Sequence, residues 1–319
     1  MRLGYTLMTE QSGPRELVVH AAGGERAGFD FEVISDHFFP WLDDMGHSSY
    51  AWSVLGAVTQ VTQRVELMTY VTCPIMRYHP AVVAQKAATV DLLSDGRFTL
   101  GIGAGENLNE HVVGQGWPPV NVRHEMLEEA LTIINELFDG GYVNFAGDHY
   151  RVDSAKVWDL PQQPVPIGVA VSGKQSVETF ARLAQHLIAV EPQGELVGLW
   201  DEAIGNTHSR KIGQLPVSWG PDRDTCMARA HETFRGFGGG WKVNAELPGP
   251  AGFDAASRYV RREDIADAIP CGPHIDAIVK SVKAFEDAGF TDLALVQIGD
   301  ETQHDFLEMA ARELLPALR

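Results

Sequence analysis

The chain has 319 residues, of which 45% are hydrophobic and 21% charged, so it can bury a large core and is neither disordered nor fibrous. Its formal net charge of −18, with acids along the whole length and no Lys/Arg-rich run, argues against binding to nucleic acids or to anionic membranes. The sequence has no signal-peptide core, no apolar stretch of membrane length and no CxxC pair, which predicts a cytoplasmic protein with reduced thiols.

Short apolar runs of strand length alternate with longer segments of helical period along the chain. Such alternation is typical of repeated βα units that build a parallel sheet, and eight units in a chain of this length favour a closed barrel over an open sheet. We therefore predict an α/β fold, a (β/α)8 TIM barrel formed by a single domain of residues 1–319. The eight predicted strands are Leu3–Leu7, Phe31–Ser35, Val65–Val71, Phe98–Gly103, Pro166–Val171, His186–Val190, Gln214–Trp219 and Asp292–Ile298.

Amphipathic segments lie between these runs, and two stretches depart from the alternation. The segment Gly140–Val152 has the character of a β-hairpin, with strand-like residues on either side of an Ala-Gly-Asp turn. The segment Arg235–Glu263 is predicted to be a long insertion loop that covers the mouth of the active site. The predicted helices are Pro14–Ala27, Pro80–Leu93, Val122–Phe138, Gln175–Ala184, Leu196–Asn206 and Ile275–Ala288.

Residues that follow the predicted strands are the candidates for chemistry, because the active site of a TIM barrel lies at the carboxyl ends of its strands. The second run is followed by Asp36, His37 and Trp41, which place a carboxylate, an imidazole and an indole within six residues. An imidazole suits a base that takes a proton from an alcohol. A lone histidine is more often structural, but the position of His37 at a strand end favours a catalytic role.

The fourth run ends in a glycine-rich turn, in which Gly101, Gly103 and Gly105 precede Glu106. The glycines permit close approach of the backbone to a flat ring or a phosphate, although their spacing does not match the dinucleotide-binding fingerprint. Glu106 has two interpretations. It is either a group that exchanges a proton with a cofactor ring or an acid at a helix N-terminus, where the helix dipole favours a negative charge.

Three further loops are candidates for ligand contact, and each has an ordinary structural alternative as a βα connection or a helix start. The sequence contains no HExxH or similar metal-ligand spacing and no GxSxG elbow, so it predicts neither a metal site nor a serine hydrolase. The three loops are Thr9–Ser12, Tyr70–Pro80 and Ser172–Ser176.

The motifs after the second and fourth strands resemble those of the F420-dependent glucose-6-phosphate dehydrogenase group of the luciferase-like barrel superfamily. Similarity extends over nearly the whole chain, and the two motifs together are specific. The resemblance implies coenzyme F420 as the cofactor, a small organic molecule as the substrate and a homodimer. The matching stretches are Ser35-Asp36-His37-Phe38-x-Pro40-Trp41 and Gly103-x-Gly105-Glu106-x-Leu108-Asn109-Glu110.

The resemblance also implies roles for individual residues. His37 would take the proton of a substrate hydroxyl, and Glu106 would protonate the reduced deazaflavin ring. Trp41 would line the substrate side, and Glu10 would complete the polar pocket. The implied cofactor-binding residues are Asp36, Tyr70 and Val71 (joined by a non-proline cis peptide bond), Ala104, Gly105, Asn109, Val171, Ser172 and Gly173.

The sequence departs from this group where the phosphate of the sugar substrate binds. It has Val190-Glu191-Pro192-Gln193 where the group has Thr-Ser-Gly-Lys, and Ala268 where an arginine is expected, while Lys242 aligns loosely with a third cation. Each charge-assisted hydrogen bond contributes about 1.5–3 kcal/mol, so glucose 6-phosphate is not the expected substrate.

Our leading hypothesis is therefore an F420-dependent oxidoreductase that moves a hydride between a small alcohol or sugar-type substrate and the deazaflavin, in either direction. One alternative is an FMN-dependent luciferase-like monooxygenase, since the same barrel hosts both chemistries. The other is a barrel that binds the cofactor without turnover. Three candidate proton-handling groups, His37, Glu106 and Glu10, favour the enzyme.

Overall fold

Eight parallel strands close into a barrel in the structure, a computed structural model that describes residues 1–205 and 208–319. Each barrel strand pairs with the next one along the chain, and the last pairs with the first, so that Arg2 lies opposite Asp292. The predicted (β/α)8 barrel is confirmed. The strands are β1 (Arg2–Leu7), β2 (Phe31–Ile34), β3 (Glu66–Thr69), β4 (Phe98–Ile102), β5 (Val143–Ala146), β6 (Arg151–Ala155), β7 (Ile167–Ala170), β8 (His186–Ile188), β9 (Lys211–Trp219), β10 (Cys271–Gly272) and β11 (Asp292–Gln297).

Three of these strands lie outside the barrel circle. Strands β5 and β6 form the predicted antiparallel hairpin, and the two-residue strand β10 extends β9 at Ser218 and Trp219. The α-helices are α1 (Pro14–Ala27), α2 (Ala51–Val61), α3 (Pro80–Leu93), α4 (Asn107–Glu110), α5 (Val120–Phe138), α6 (Lys174–Phe180), α7 (Gly194–Ile204), α8 (Arg223–Phe234), α9 (Trp241–Asn244), α10 (Pro250–Ser257), α11 (Arg262–Ala268), α12 (Ile275–Asp287), α13 (Gln303–Met309) and α14 (Leu315–Leu318). Shorter 3-10 or π turns are Asp43–Met45, His111–Val113, Arg235–Gly239, Asp300–Thr302 and Ala310–Leu314.

Helices with clear start and stop signals agree best with the sequence prediction. Helices α1 and α3 both begin with a proline, whose fixed φ suits the first helical position, and both match their predicted bounds. Helix α1 ends at Gly28, which adopts a φ of +101°. Helix α6 is shorter than predicted, because the chain leaves it through a turn in which Leu183 donates to the carbonyl of Phe180. The predicted helix Leu196–Asn206 corresponds to α7, and its predicted last residue, Asn206, lies outside the described residues.

The apolar core forms two layers around the barrel wall. Alternate strand residues such as Leu3 and Leu7 face outward and pack against helix residues such as Leu17 and Ala21. The opposite strand face fills the centre of the cylinder with Phe31, Val33, Met68, Ile188, Ile212 and Ala294, and Tyr70, Val71 and Ala170 pack against this cluster. The loop after β3 therefore rests on a solid floor at the carboxyl end of the barrel.

The 235–263 segment is largely helical, which corrects the prediction of a loop. Its glycines and prolines suggested irregular structure, but Pro250 occupies the first turn of α10 and so starts that helix. The segment contacts the mouth of the barrel, because Phe237 packs edge-on against Trp41 and the carbonyl of Ala245 accepts from the N–H of Asn107 at 2.9 Å. Among the residues that the structure describes, none of the helices combines the length and apolar character of a membrane span.

Candidate active site

His37 lies just beyond the end of β2, with its ring held on one side by two acceptors. Its Nδ1 atom is 3.2 Å from the carbonyl oxygen of Phe39 and 3.3 Å from Oε1 of Glu10. The Trp41 ring packs perpendicular to the imidazole, with the ring centroids 4.9 Å apart. Because both neighbours of Nδ1 are acceptors, they favour the tautomer with the proton on Nδ1, which leaves the lone pair of Nε2 free to take a proton.

Glu10 is completely buried beside His37, after the end of β1. Its Oε2 atom accepts from the hydroxyl of Thr9 at 3.0 Å and from the hydroxyl of Ser35. Its Oε1 atom has no hydrogen-bond partner among the described residues and faces Nδ1 of His37. A buried carboxylate oxygen without a hydrogen bond is costly, so its position beside the imidazole points to a functional demand.

Glu106 reaches the same point from the other side of the imidazole. It precedes the one-turn helix α4, and its Oε2 atom lies 3.8 Å from Nε2 of His37. Trp41 Nε1 and Asn109 Nδ2 donate to the same oxygen at 3.4 and 3.3 Å. Burial raises the pKa of Glu106, and the nearby His37 and the Trp41 hydrogen bond only partly oppose that rise. This carboxyl therefore holds its proton to a higher pH than an exposed glutamate does.

Asp36 is also buried, but its carboxylate points into the wall of the barrel. Its two oxygens accept four hydrogen bonds, which satisfies the capacity of a carboxylate. The side chain thereby ties the end of β2 to the loop after β3 and to α2. The donors are Trp52 Nε1 at 3.1 Å, Thr72 Oγ1 at 2.7 Å, Arg77 Nη2 at 3.1 Å and the Tyr78 hydroxyl at 3.1 Å.

The loop after β3 contains the non-proline cis peptide bond at Tyr70–Val71, as the resemblance implied. The glycine turn after β4 packs directly on this loop. A Cβ atom on Gly103 would lie 2.7 Å from Cγ2 of Val71, and one on Gly105, where φ is +77°, would collide with Sγ of Cys73. The glycines are therefore needed first for this close packing of two loops. The sequence had suggested that they allow the approach of a ring or a phosphate. Ala104, between them, is half-buried.

The loop after β7 carries the remaining predicted cofactor residues. Val171 is buried, and its N–H donates to the carbonyl of Ile188 at 3.0 Å. The N–H groups of Ser172 and Gly173 both donate to Oγ of Ser176 at 3.2 Å. These N–H groups already have a partner within the chain, although Ser172 itself is exposed.

Arg77 and Glu110, for which the sequence predicts no role, lie in contact with each other, and Arg77 also contacts Asp36. Arg77 donates to Asp36 with its guanidinium and, with its backbone N–H, to Oε2 of Glu110 at 2.8 Å. Burial raises the pKa of Glu110 to about 7, which the neighbouring Arg77 opposes. The only sequence signals were the place of Glu110 in the motif after the fourth strand and that of Arg77 in the candidate loop Tyr70–Pro80. The pair connects the loop after β3 with helix α4.

The arrangement of ionisable side chains suits proton transfer. No group of three His, Cys, Asp or Glu side chains within residues 1–205 and 208–319 is arranged to hold a metal ion. Three proton-handling side chains, Glu10, His37 and Glu106, instead lie in a row at the carboxyl end of the barrel, with Trp41 packed against the central imidazole. The predicted site residues from β1, β2 and β4 are thus brought together.

The sequence matches the family model described as luciferase-like monooxygenase over residues 1–292. It is 33% identical to an F420-dependent glucose-6-phosphate dehydrogenase of Microbacterium testaceum strain StLB037, over 100% of this chain and 98% of the relative. A protein of the same description from Amycolatopsis mediterranei strain U-32 is 34% identical, with 100% and 99% covered.

Two solved structures are similar to this chain over its whole length. An F420-dependent secondary alcohol dehydrogenase, in complex with an F420–acetone adduct, matches with a TM-score of 0.90 and 28% identity over 100% of this chain and 99% of that one. A coenzyme F420-dependent tetrahydromethanopterin reductase from Methanopyrus kandleri shares the fold, with a TM-score of 0.78 and 20% identity over 100% and 99% of the two chains. The chain therefore belongs to the luciferase-like monooxygenase family, within which it is similar over its whole length to F420-dependent dehydrogenases.

Proposed function

We propose that the protein is an F420-dependent oxidoreductase that interconverts a small alcohol or sugar-type substrate and its carbonyl product. The observation that carries this proposal is the convergence of His37 and Glu106, whose Nε2 and Oε2 atoms lie 3.8 Å apart at the barrel mouth. When bound, F420 supplies a deazaflavin ring that accepts a hydride, or in its reduced form donates one. The chain must then handle the protons that accompany the hydride.

His37 acts as the base in the oxidative direction. Its Nε2 atom takes the proton of the substrate hydroxyl, while Phe39 and Glu10 hold Nδ1. The buried Glu10 carboxyl faces Nδ1 at 3.3 Å and so keeps the ring oriented while Nε2 takes the proton. The edge-on contact with Trp41 keeps the ring from turning.

Glu106 holds the second proton of the reaction. Burial raises its pKa, so a proton stays on the carboxyl under conditions where an exposed glutamate would have lost it. This arrangement separates the two roles: the imidazole takes one proton, and the carboxyl beside it holds the other.

The residues present fit the cofactor. The buried carboxyls of Glu10 and Glu106, on either side of His37, form a polar site at the barrel mouth that suits a ring which exchanges protons. We propose that the ring packs on the Tyr70–Val71 bond, which rests on the barrel floor. Asp36 would contribute through its backbone N–H, since its carboxylate already accepts four hydrogen bonds and its carbonyl oxygen accepts from Arg77 Nη2 at 2.7 Å. The other proposed cofactor contacts are Ala104, Gly105, Asn109, Val171, Ser172 and Gly173.

The substrate we propose carries no phosphate. Glu191, which stands near the aligned phosphate position, is exposed and accepts from Nε2 of Gln193 at 2.6 Å, and it adds a negative charge where a dianion would need cations. Ala268 supplies no cation either. The Trp41 side of the site is apolar, because Phe234 and Phe237 pack against the indole. An uncharged alcohol is the class that fits, and the likeness to the secondary alcohol dehydrogenase supports it.

The chain as a whole is proposed to work as a single cytoplasmic domain that forms homodimers. Helices α2 and α3 and their flanks leave several large apolar side chains exposed, and apolar helix faces of this kind are common at subunit interfaces. Size-exclusion chromatography with light scattering would test the dimer. The exposed side chains are Tyr50, Val61, Val82, Leu92 and Leu93.

Titration of the purified protein with oxidised F420 and, separately, with FMN tests the cofactor, with cofactor fluorescence and absorbance as the signals. We expect saturable binding of F420 and weaker binding of FMN. A screen of small alcohols for reduction of F420 then tests turnover. Preferential binding of FMN would support the monooxygenase alternative, and tight F420 binding without turnover on any alcohol or carbonyl would support a non-catalytic binder.

A further inference from the structure

Asn109 links Glu106 to the loop that follows His37 and uses both ends of its amide. The residue is on helix α4 and is 5% exposed. Its Oδ1 atom accepts from the N–H of Phe38 at 2.8 Å and from the N–H of Phe39 at 3.3 Å. Its Nδ2 atom donates to Oε2 of Glu106 at 3.3 Å. One side chain therefore connects the loop after β2 with the carboxyl after β4.

The Oδ1 contacts act on the segment that carries His37. Phe38 and Phe39 follow His37 directly, and the carbonyl of Phe39 is the atom that lies 3.2 Å from Nδ1 of the imidazole. Asn109 thus fixes the backbone of the residue that orients the ring. Without Oδ1, two backbone N–H groups of this loop would lose their acceptor. The loop would then also lose these two hydrogen bonds to α4.

The Nδ2 contact acts on Glu106. The same carboxylate oxygen accepts a hydrogen bond from Nε1 of Trp41 at 3.4 Å and lies 3.8 Å from Nε2 of His37. A donor at this point favours the ionised carboxylate over the protonated carboxyl, because only the ionised form accepts from every direction. The Asn109 amide therefore opposes the effect of burial, which favours the protonated form of Glu106.

We propose that Asn109 is a positioning residue that sets the separation of His37 and Glu106 through its Oδ1 atom and stabilises the ionised form of Glu106 through its Nδ2 atom. Its significance rests on the proposed function, in which His37 and Glu106 exchange protons. The contacts are made between residues of the chain itself, so they can be tested in the protein without added cofactor or substrate.

The exchange Asn109→Asp separates the two ends of the amide. Aspartate keeps the oxygen that accepts from Phe38 and Phe39, but it replaces the donor to Glu106 by a carboxyl oxygen. In protein labelled with 13C at the glutamate carboxyl, the Glu106 resonance is identified by its absence in Glu106→Gln. We expect Glu106 in Asn109→Asp to titrate about one to two pH units higher than in the wild type.

Asn144→Asp is the matched control. Asn144 is an exposed residue of the β5–β6 hairpin whose Oδ1 also accepts a backbone N–H, that of Ser154 at 2.9 Å, and aspartate retains that bond. This variant adds the same charge and should leave the Glu106 titration in place. A Glu106 titration that is equally unchanged in Asn109→Asp would overturn the proposal.

Hydrogen exchange in the wild-type protein provides a second test that needs no variant. The amide of Phe38 lies outside the strands, yet it should exchange slowly because it donates to a buried acceptor. Exchange of this amide at the rate of a free loop would overturn the proposal. Both readouts are independent of turnover, so a failure of the proposed F420 chemistry would leave them unaffected.

Discussion

The Nε2 atom of His37 lies 3.8 Å from the Oε2 atom of Glu106, although the two residues follow β2 and β4, which are separated in the barrel by β3. Their side chains meet because the loops that follow parallel strands all lie at the same end of the barrel. The contact places an imidazole and a buried carboxyl at one point, and hydride transfer to or from an alcohol calls for two such proton-handling groups.

Replacement of His37 by glutamine should remove the base without emptying its space. We expect kcat for alcohol oxidation to fall by about 10²- to 10⁴-fold, the usual contribution of a positioned general base, with F420 affinity changed only a few-fold. Steady-state kinetics and a fluorescence titration measure the two quantities. His304→Gln, at a highly exposed position, is the control. Turnover at close to the wild-type rate in His37→Gln would rule out its role as the base.

The pH dependence of turnover should report Glu106. Because burial raises its pKa, the carboxyl is protonated at low pH and loses its proton as the pH rises through that raised value. If Glu106 must hold a proton, kcat falls on the alkaline side of the profile, and Glu106→Gln flattens that limb while it lowers the maximum. A rate profile over pH for both proteins checks this. An alkaline limb of unchanged position in Glu106→Gln would assign it to another group.

The sequence predicted those parts of the site that depend on strand order. Any residue that directly follows a strand must appear at the barrel mouth, so the placement of Glu10, His37 and Glu106 followed from recognising eight strands. Helices α1 and α3 were equally predictable, because a proline marks the start of both and Gly28 marks the end of α1.

Features that depend on distant partners could not be predicted in this way. Nothing local indicates that the Asn109 amide bridges Phe38 and Glu106, or that Ser176 occupies the N–H groups after β7. The 235–263 segment misled the prediction, because its helices are too short to show a clear hydrophobic period against many glycines and prolines. Such short helices are stabilised by tertiary contacts, as where Phe237 meets Trp41.

Glu32 should make the free energy of unfolding fall as the pH rises. This residue of β2 is 1% exposed, both its carboxyl oxygens lack a hydrogen-bond partner among the described residues, and burial raises its pKa well above the usual range. Below about pH 4 both states are protonated. As the pH rises further, only the unfolded state ionises, so the free energy of unfolding falls by about 1.4 kcal/mol per pH unit until the folded pKa is reached.

Urea denaturation at a series of pH values compares Glu32→Gln with the wild type. The glutamine cannot ionise, so its free energy of unfolding should fall less over this range than that of the wild type. Glu178→Gln, at an exposed position on α6, is the control and should follow the wild-type curve. Parallel curves for Glu32→Gln and the wild type would show that Glu32 ionises equally in both states.

The 235–263 segment should be loosened by the exchange Glu246→Gln. Oε1 of Glu246 accepts from the buried Arg123 of α5 at 2.9 Å, while the Glu246 side chain is half-exposed. Such a pair contributes at most about 1 kcal/mol, so we expect up to about five-fold faster proteolytic cleavage within the segment and no change in the global unfolding temperature. Glu128→Gln, which removes the exposed partner of Arg182, is the matched control. Equal cleavage rates in both variants would contradict a holding role for the Arg123–Glu246 pair.

We propose that the His37–Glu106 pair serves hydride transfer between an uncharged alcohol and F420. The most direct measurement mixes the protein with oxidised F420 and a panel of small secondary alcohols and follows the loss of F420 absorbance and fluorescence. We predict alcohol-dependent loss of both signals with the wild type and its near-complete absence with His37→Ala. Persistence of both signals with every alcohol, under conditions where F420 is bound, or equal loss with His37→Ala, would contradict the claim.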